Sequence, residues 1–202
     1  MAKQKGNHSE ADLVCASVSI DHEASKMGGT LLFLLENNVT FASSQREQAI
    51  SNALLDSFLL ATRNLCHFLY SYNPRSSDIV AENYFDNPHD WLNQRPVFTE
   101  FQNGFLVGLI SKRVAHLTWD RASGTTPSWG AFRIAWELCK AMEVFIKIAP
   151  SSRVHPNLSE DVALIKQSMN QIIEQYGGVD LVDSAPLNMI CNDADLPWNR
   201  SS

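Results

Sequence analysis

Apolar residues between positions 44 and 176 recur at intervals of three and four, the period of an α-helix with one buried stripe. Ile50, Leu54, Phe58, Ala61, Leu65 and Phe68 keep this spacing after Ser44. Ser44 with Glu47 forms a capping box, in which each side chain satisfies a backbone N–H that the first turn leaves free. A helix is therefore predicted from Ser44 to about Tyr72, where Pro74 stops it. Phe101, Phe105, Leu106, Leu109, Ile110, Val114 and Leu117 predict a second helix, opened by a Thr99–Gln102 box and running to about Trp119. Thr126-Pro127 then supplies a cap and a first-turn proline for a third helix reaching Ala149. Its charges fall only at Arg133, Glu137, Lys140, Glu143 and Lys147, so it is expected in the middle of a bundle. Leu158, Val162, Ile165, Met169, Ile172 and Tyr176 predict a last helix, beginning near Asn157 and ended by Gly177-Gly178.

Elsewhere the period changes. Val14, Ala16, Val18 and Ile20 alternate with Cys15, Ser17 and Ser19, which predicts a short strand. Gly28-Gly29 reads as a break before an apolar turn, Leu31 to Leu35. Residues 75–97, with Asn87-Pro88, Arg95-Pro96, Tyr84, Phe85 and Trp91, read as a connection with a helical turn or two, packed by its own side chains. Residues 1–10 are expected to be a flexible N-terminus and 11–178 a helical bundle domain. Residues 179–202, with Pro186 and Pro197, are expected to form an irregular tail packed on the bundle. The expected fold is all-α, an up-down bundle of four to five main helices.

Composition supports one core and narrows the setting. Hydrophobic residues make up 45% of the 202 and charged residues 19%, which excludes an intrinsically disordered chain. Cys15, Cys66, Cys139 and Cys191 are scattered without a C-x-x-C pair, and no apolar leader follows Met1. Reduced thiols, a cytoplasmic location and no membrane span are the expectations. A net charge of −6 argues against indiscriminate binding of nucleic acid. The charge is uneven, however: Lys112, Arg113, Arg121, Arg133, Lys140, Lys147 and Arg153 outnumber the nearby acids.

Two clusters could carry chemistry. Asp56, Leu60, Arg63, His67 and Tyr70 share one helix face, with Asn64 beside them. Arg63 and His67 are one turn apart. An imidazole there can take a proton from a ribose 2′-hydroxyl, and a guanidinium can stabilise the charge on a phosphorane. The same stripe also fits the solvated side of an amphipathic helix. Lys112, Arg113 and His116, with Arg121 just beyond, form the second cluster. Cations near a helix C-terminus are favoured by its dipole, and His116 also fits a core position. His8, His22, His67, His89, His116 and His155 show neither H-x-x-x-H nor H-E-x-x-H spacing, so no metal site is expected. The Ser123-Gly124-Thr125-Thr126 loop lacks P-loop spacing, and no nucleophile-elbow motif occurs, so no cofactor is expected.

Arg63-Asn64-Leu65 with Phe68-Leu69-Tyr70, the run from Asp78 to Phe85, and Lys112-Arg113-Val114-Ala115-His116-Leu117-Thr118 resemble a group of all-helical bacterial proteins. That likeness covers the middle third of the chain and implies no activity. Arg63-Asn64 followed by His67 more distantly resembles the HEPN superfamily of helical ribonucleases, though the interval to the histidine is shorter than in that pattern. The HEPN likeness implies metal-independent cleavage of RNA by Arg63 and His67, with His116 and its basic neighbours as the second candidate group. The sequence thus leaves two readings: a helical interaction module, with an apolar helix face through which it could form a homodimer, and a ribonuclease whose partner is RNA.

Overall fold

A computed structural model describes residues 8–36, 44–71, 74–98, 101, 104–111 and 130–179. Its regular structure is entirely helical among the described residues. Four long helices carry it: α1 (Glu10–Glu36), α2 (Gln45–Tyr70), α5 (Ala131–Ile148) and α6 (Pro156–Tyr176). Two short ones, α3 (His89–Leu92) and α4 (Phe105–Ile110), lie between, with 3₁₀ turns at Ala81–Tyr84 and Ser151–Arg153. α1 packs against α2 and α6, and α5 against α6 and α2, so the long helices close a ring around one core. The fold is an all-α helical bundle. No described helix is long and apolar enough to cross a membrane.

The strand expected at residues 14–20 is absent, and α1 runs straight through it and through Gly28-Gly29. The buried positions explain why. Leu13, Ser17, Ile20, Ala24, Met27, Leu31 and Leu34 face inward at three- and four-residue steps, whereas Val18 is 47% exposed. The alternation of Val14, Ala16 and Val18 is an accident of small residues on two sides of a helix. Gly28 breaks nothing; it lets α1 approach α6 closely, since a Cβ there would lie 2.6 Å from Ile165.

α2 begins as expected, Ser44 Oγ accepting the Glu47 N–H at 3.3 Å. It ends at a left-handed Ser71 (φ 48°), whose N–H donates to the His67 carbonyl. The helix expected over 99–119 is not continuous. Gly104 takes a left-handed conformation (φ 64°) that only glycine adopts freely, and α4 starts immediately after it. Thr99, Gln102, the stretch 112–129 with its Thr126-Pro127 cap, and the tail from 180 onward lie outside the described residues. α5 is buried along most of its length, as its thin charged stripe implied. α6 is capped by His155, whose Nδ1 accepts the Asn157 N–H, and by a left-handed Gly177.

Phe145 of α5 is the centre of the core. Its ring meets Phe68, Tyr84, Phe85 and Trp91 edge-on, with centroids 5.0, 5.1, 6.1 and 5.8 Å away. Trp91, fully buried, shows that the connection 75–97 is built into the main core and not packed on itself alone. Two buried hydroxyls beside this core, Thr62 Oγ1 and Tyr70 Oη, have no hydrogen-bond partner among the described residues. An orphan buried hydroxyl carries its desolvation cost uncompensated, so Thr62→Val should stabilise the protein by about 1 kcal/mol. Urea titration measures this, and a less stable valine variant would show that Thr62 is hydrogen-bonded in solution.

Candidate functional site

The polar face predicted on α2 is present, but its members separate. Asp56 and Asn64 are exposed, and Leu60, Arg63 and His67 are half-buried. Tyr70 is not part of it. Its ring is buried, edge-on to Phe101 at 5.2 Å, with the Arg95 guanidinium 5.6 Å from its centre. Burial pushes its phenol well above the ordinary range, and Tyr70 packs in the core and does not stand on the exposed face. Ser71 takes the next place on the face, so that Arg63, His67 and Ser71 stand one turn apart as a ledge down the end of α2.

Each ledge residue meets a side chain from another segment. Arg63 Nε donates to Ser111 Oγ, just past α4, at 2.8 Å. His67 Nε2 lies 3.7 Å from Asp78 Oδ2, and the Ser71 hydroxyl donates to the Glu82 carboxylate. The chain after α2 is shaped to bring these acids back. Asp78 Oδ2 accepts the Arg75 N–H at 2.7 Å while the Asp78 N–H donates to the Arg75 carbonyl, which closes a tight turn. Asn83 Oδ1 then accepts the Val80 N–H and starts the 3₁₀ turn that carries Glu82. Further on, the Trp91 indole N–H donates to the Leu69 carbonyl at 2.8 Å, and Arg95 Nη1 to that of Tyr70 at 3.4 Å. Residues 74–95 thus satisfy two of the carbonyls that the last turn of α2 leaves free, those of Leu69 and Tyr70.

The ledge is open to solvent. The His67 and Asp78 side chains are 27% and 28% exposed, so a ligand in solvent can reach the pair. The terminal nitrogens of Arg63 make no hydrogen bond to any described residue, although Nε is tied down. A guanidinium held in this way through Nε points its two terminal nitrogens in a fixed direction, and such a fork suits a carboxylate or phosphate taken in two parallel hydrogen bonds.

Other chemistry is limited among the described residues. No three His, Cys, Asp or Glu side chains gather where they could hold a metal ion. Cys15 is exposed, whereas Cys66 and Cys139 are buried free thiols. Burial raises both, Cys139 to about 12, so neither is a thiolate nucleophile near neutral pH. Two of the described basic residues after Arg121 are engaged within the protein. Lys140 pairs with Glu137, and Arg153 binds the Tyr84 carbonyl, Asp86 and Glu10 as an internal clamp. Lys112, Arg113, His116 and Arg121 lie outside the described residues. Ser111, however, is bonded to Arg63 and immediately precedes Lys112-Arg113. Asp78, Glu82, Ser71 and Ser111 were not singled out by sequence spacing, because each reaches the ledge through the fold. Comparison with family models, curated proteins and solved structures finds no match for this chain.

Proposed function

We propose that the protein is a cytoplasmic helical binding module whose recognition face is the Arg63–His67 ledge, and that the group recognised there is an oxyanion on its partner. One observation carries this reading: Arg63 is oriented by Ser111 while its terminal nitrogens bond no described residue. A short single-stranded RNA serves as a probe of phosphodiester recognition, followed by side-chain NMR of Arg63 and His67. Addition of the probe should shift both signals, and Arg63→Gln should weaken binding about tenfold, the worth of one good charge-assisted hydrogen bond. Unmoved signals at millimolar probe, with acetate equally inert, would remove the anion-binding reading.

A second reading, a metal-independent ribonuclease, draws support from the ledge itself. His67 stands one turn from Arg63 with Asp78 beside it, an acid–base group next to a charge-stabilising one. Incubation with RNA in EDTA separates the readings. Cleavage lost in His67→Ala or His116→Ala would make the protein an enzyme. Binding without cleavage across several RNAs would leave the module.

A further inference from the structure

A helix that packs one side against a core normally turns charged or amide side chains outward. α6 follows that rule with Glu160, Gln167, Asn170, Gln171 and Glu174, all exposed. α1 departs from it. Cys15, Val18, Ser19 and His22 lie opposite the buried Ser17, Ile20, Ala24 and Met27, and all four are exposed, Val18 by 47%. Between Asp12 and Lys26 no Asp, Glu, Lys or Arg is exposed; Asp21 and Glu23 are half-buried, each with one carboxyl oxygen shut away from solvent. The outer face of α1 is therefore sparsely charged over about four turns, as a helix face is where another surface covers it.

The charges at its two ends say which surface. Asp12, Ser19 and Lys26 are spaced seven residues apart, on one flank of this face. Read backwards the order is lysine, serine, aspartate. A second α1 laid antiparallel about a twofold axis at Ser19 thus brings Asp12 of each copy to Lys26 of the other. The same axis sets Cys15 near His22 of the second copy and the two Val18 side chains together at the centre. The Ser9 hydroxyl and N–H hold the Asp12 carboxyl below its ordinary value, so it is charged near neutral pH. We propose that α1 is the interface of a symmetric dimer, in which two copies pair antiparallel across residues 12–26. A contact over so short a stretch of one helix is smaller than the interface of a stable dimer, so the association is reversible and depends on concentration.

Sedimentation of the full chain should show a monomer–dimer equilibrium. Lys26→Glu sets carboxylates against each other at both ends and should weaken dimerisation about tenfold, and Asp12→Lys should do the same with two ammonium groups. Mixing the two variants makes both pairs attractive again, so the mixture should dimerise like wild type, a rescue that a folding defect would not give. Val18→Lys should leave a monomer with unchanged circular dichroism. Cross-linking locates the contact independently. In a Cys15→Ser, Cys191→Ser background, where Cys66 and Cys139 are buried, a short bismaleimide should couple Ser19→Cys chains but not Ala163→Cys chains, altered on the outer side of α6. A chain that stays monomeric at millimolar concentration overturns the proposal. If its position-19 thiol also resists maleimide, the chain's own residues cover α1 instead. A dimer indifferent to Lys26→Glu and Val18→Lys, or one that couples through α6, overturns it equally.

Discussion

Replacing Phe145 by alanine is expected to destabilise the protein by about 3–5 kcal/mol, the range for deleting a fully buried aromatic ring. The ring is completely buried and is the common neighbour of Phe68 from α2, Tyr84 and Phe85 at the end of the 3₁₀ turn and just past it, and Trp91 from α3. Four aromatic partners from three segments cannot all collapse into the space it leaves, so the cavity term adds to the lost burial. Total stabilities of domains are only about 5–15 kcal/mol, so this change alone would bring the protein close to unfolding at room temperature. The damage should also spread. Trp91 and Arg95 cap α2 beside the ledge, so Phe145→Ala should loosen the Asp78 and Glu82 contacts and weaken whatever the ledge binds. Phe145→Leu, which keeps most of the volume, should cost clearly less. A loss under about 1.5 kcal/mol for the alanine variant in urea would mean that the aromatic cluster is not the core.

How much of this was legible depends on whether a contact is local. α2, α5 and α6 could be read because their stripes are long, strongly apolar and bounded by local signals such as Ser44–Glu47 and Gly177. α1 was misread because Ser17 and Ala24 occupy core positions that look polar or neutral, while Val14, Ala16 and Val18 mimic a strand. Its start carried a signal of the same kind as Ser44–Glu47: the Ser9 hydroxyl accepts the Asp12 N–H, and the Asp12 carboxylate accepts the Ser9 N–H. At the site, Arg63 and His67 were legible because helical spacing alone sets them side by side. Asp78, Glu82 and Ser111 were not, since a left-handed Ser71, a tight turn and the packing of α4 bring them there. Tyr70 failed for a third reason. A phenol on a mixed helix face reads as a polar handle, and only the fold shows that Phe101 and Arg95 cover it.

Gly28 and Gly29 are neighbours in one helix, yet their alanine substitutions are expected to act in opposite directions. Alanine in place of glycine within a helix is worth about 1 kcal/mol through backbone entropy. At Gly29 nothing lies within 4 Å of the added methyl group, so Gly29→Ala should show that gain in full. At Gly28 the methyl carbon would sit 2.6, 2.7 and 2.8 Å from three carbons of the Ile165 side chain. Ile165 is 7% exposed and β-branched, so it cannot swing aside without disturbing the core of α6. Overpacking of this kind costs typically about 1–3 kcal/mol, occasionally more, and should exceed the helix-propensity gain. The two variants should therefore differ by roughly 2 kcal/mol or more in urea, on opposite sides of wild type. Shortening the facing residue checks the cause. In an Ile165→Ala background the methyl at position 28 has room, so Gly28→Ala should change from harmful to neutral or helpful, a coupling measured by the double-mutant cycle. If Gly28→Ala stabilises the wild-type chain as Gly29→Ala does, α1 and α6 are not in close contact at this crossing.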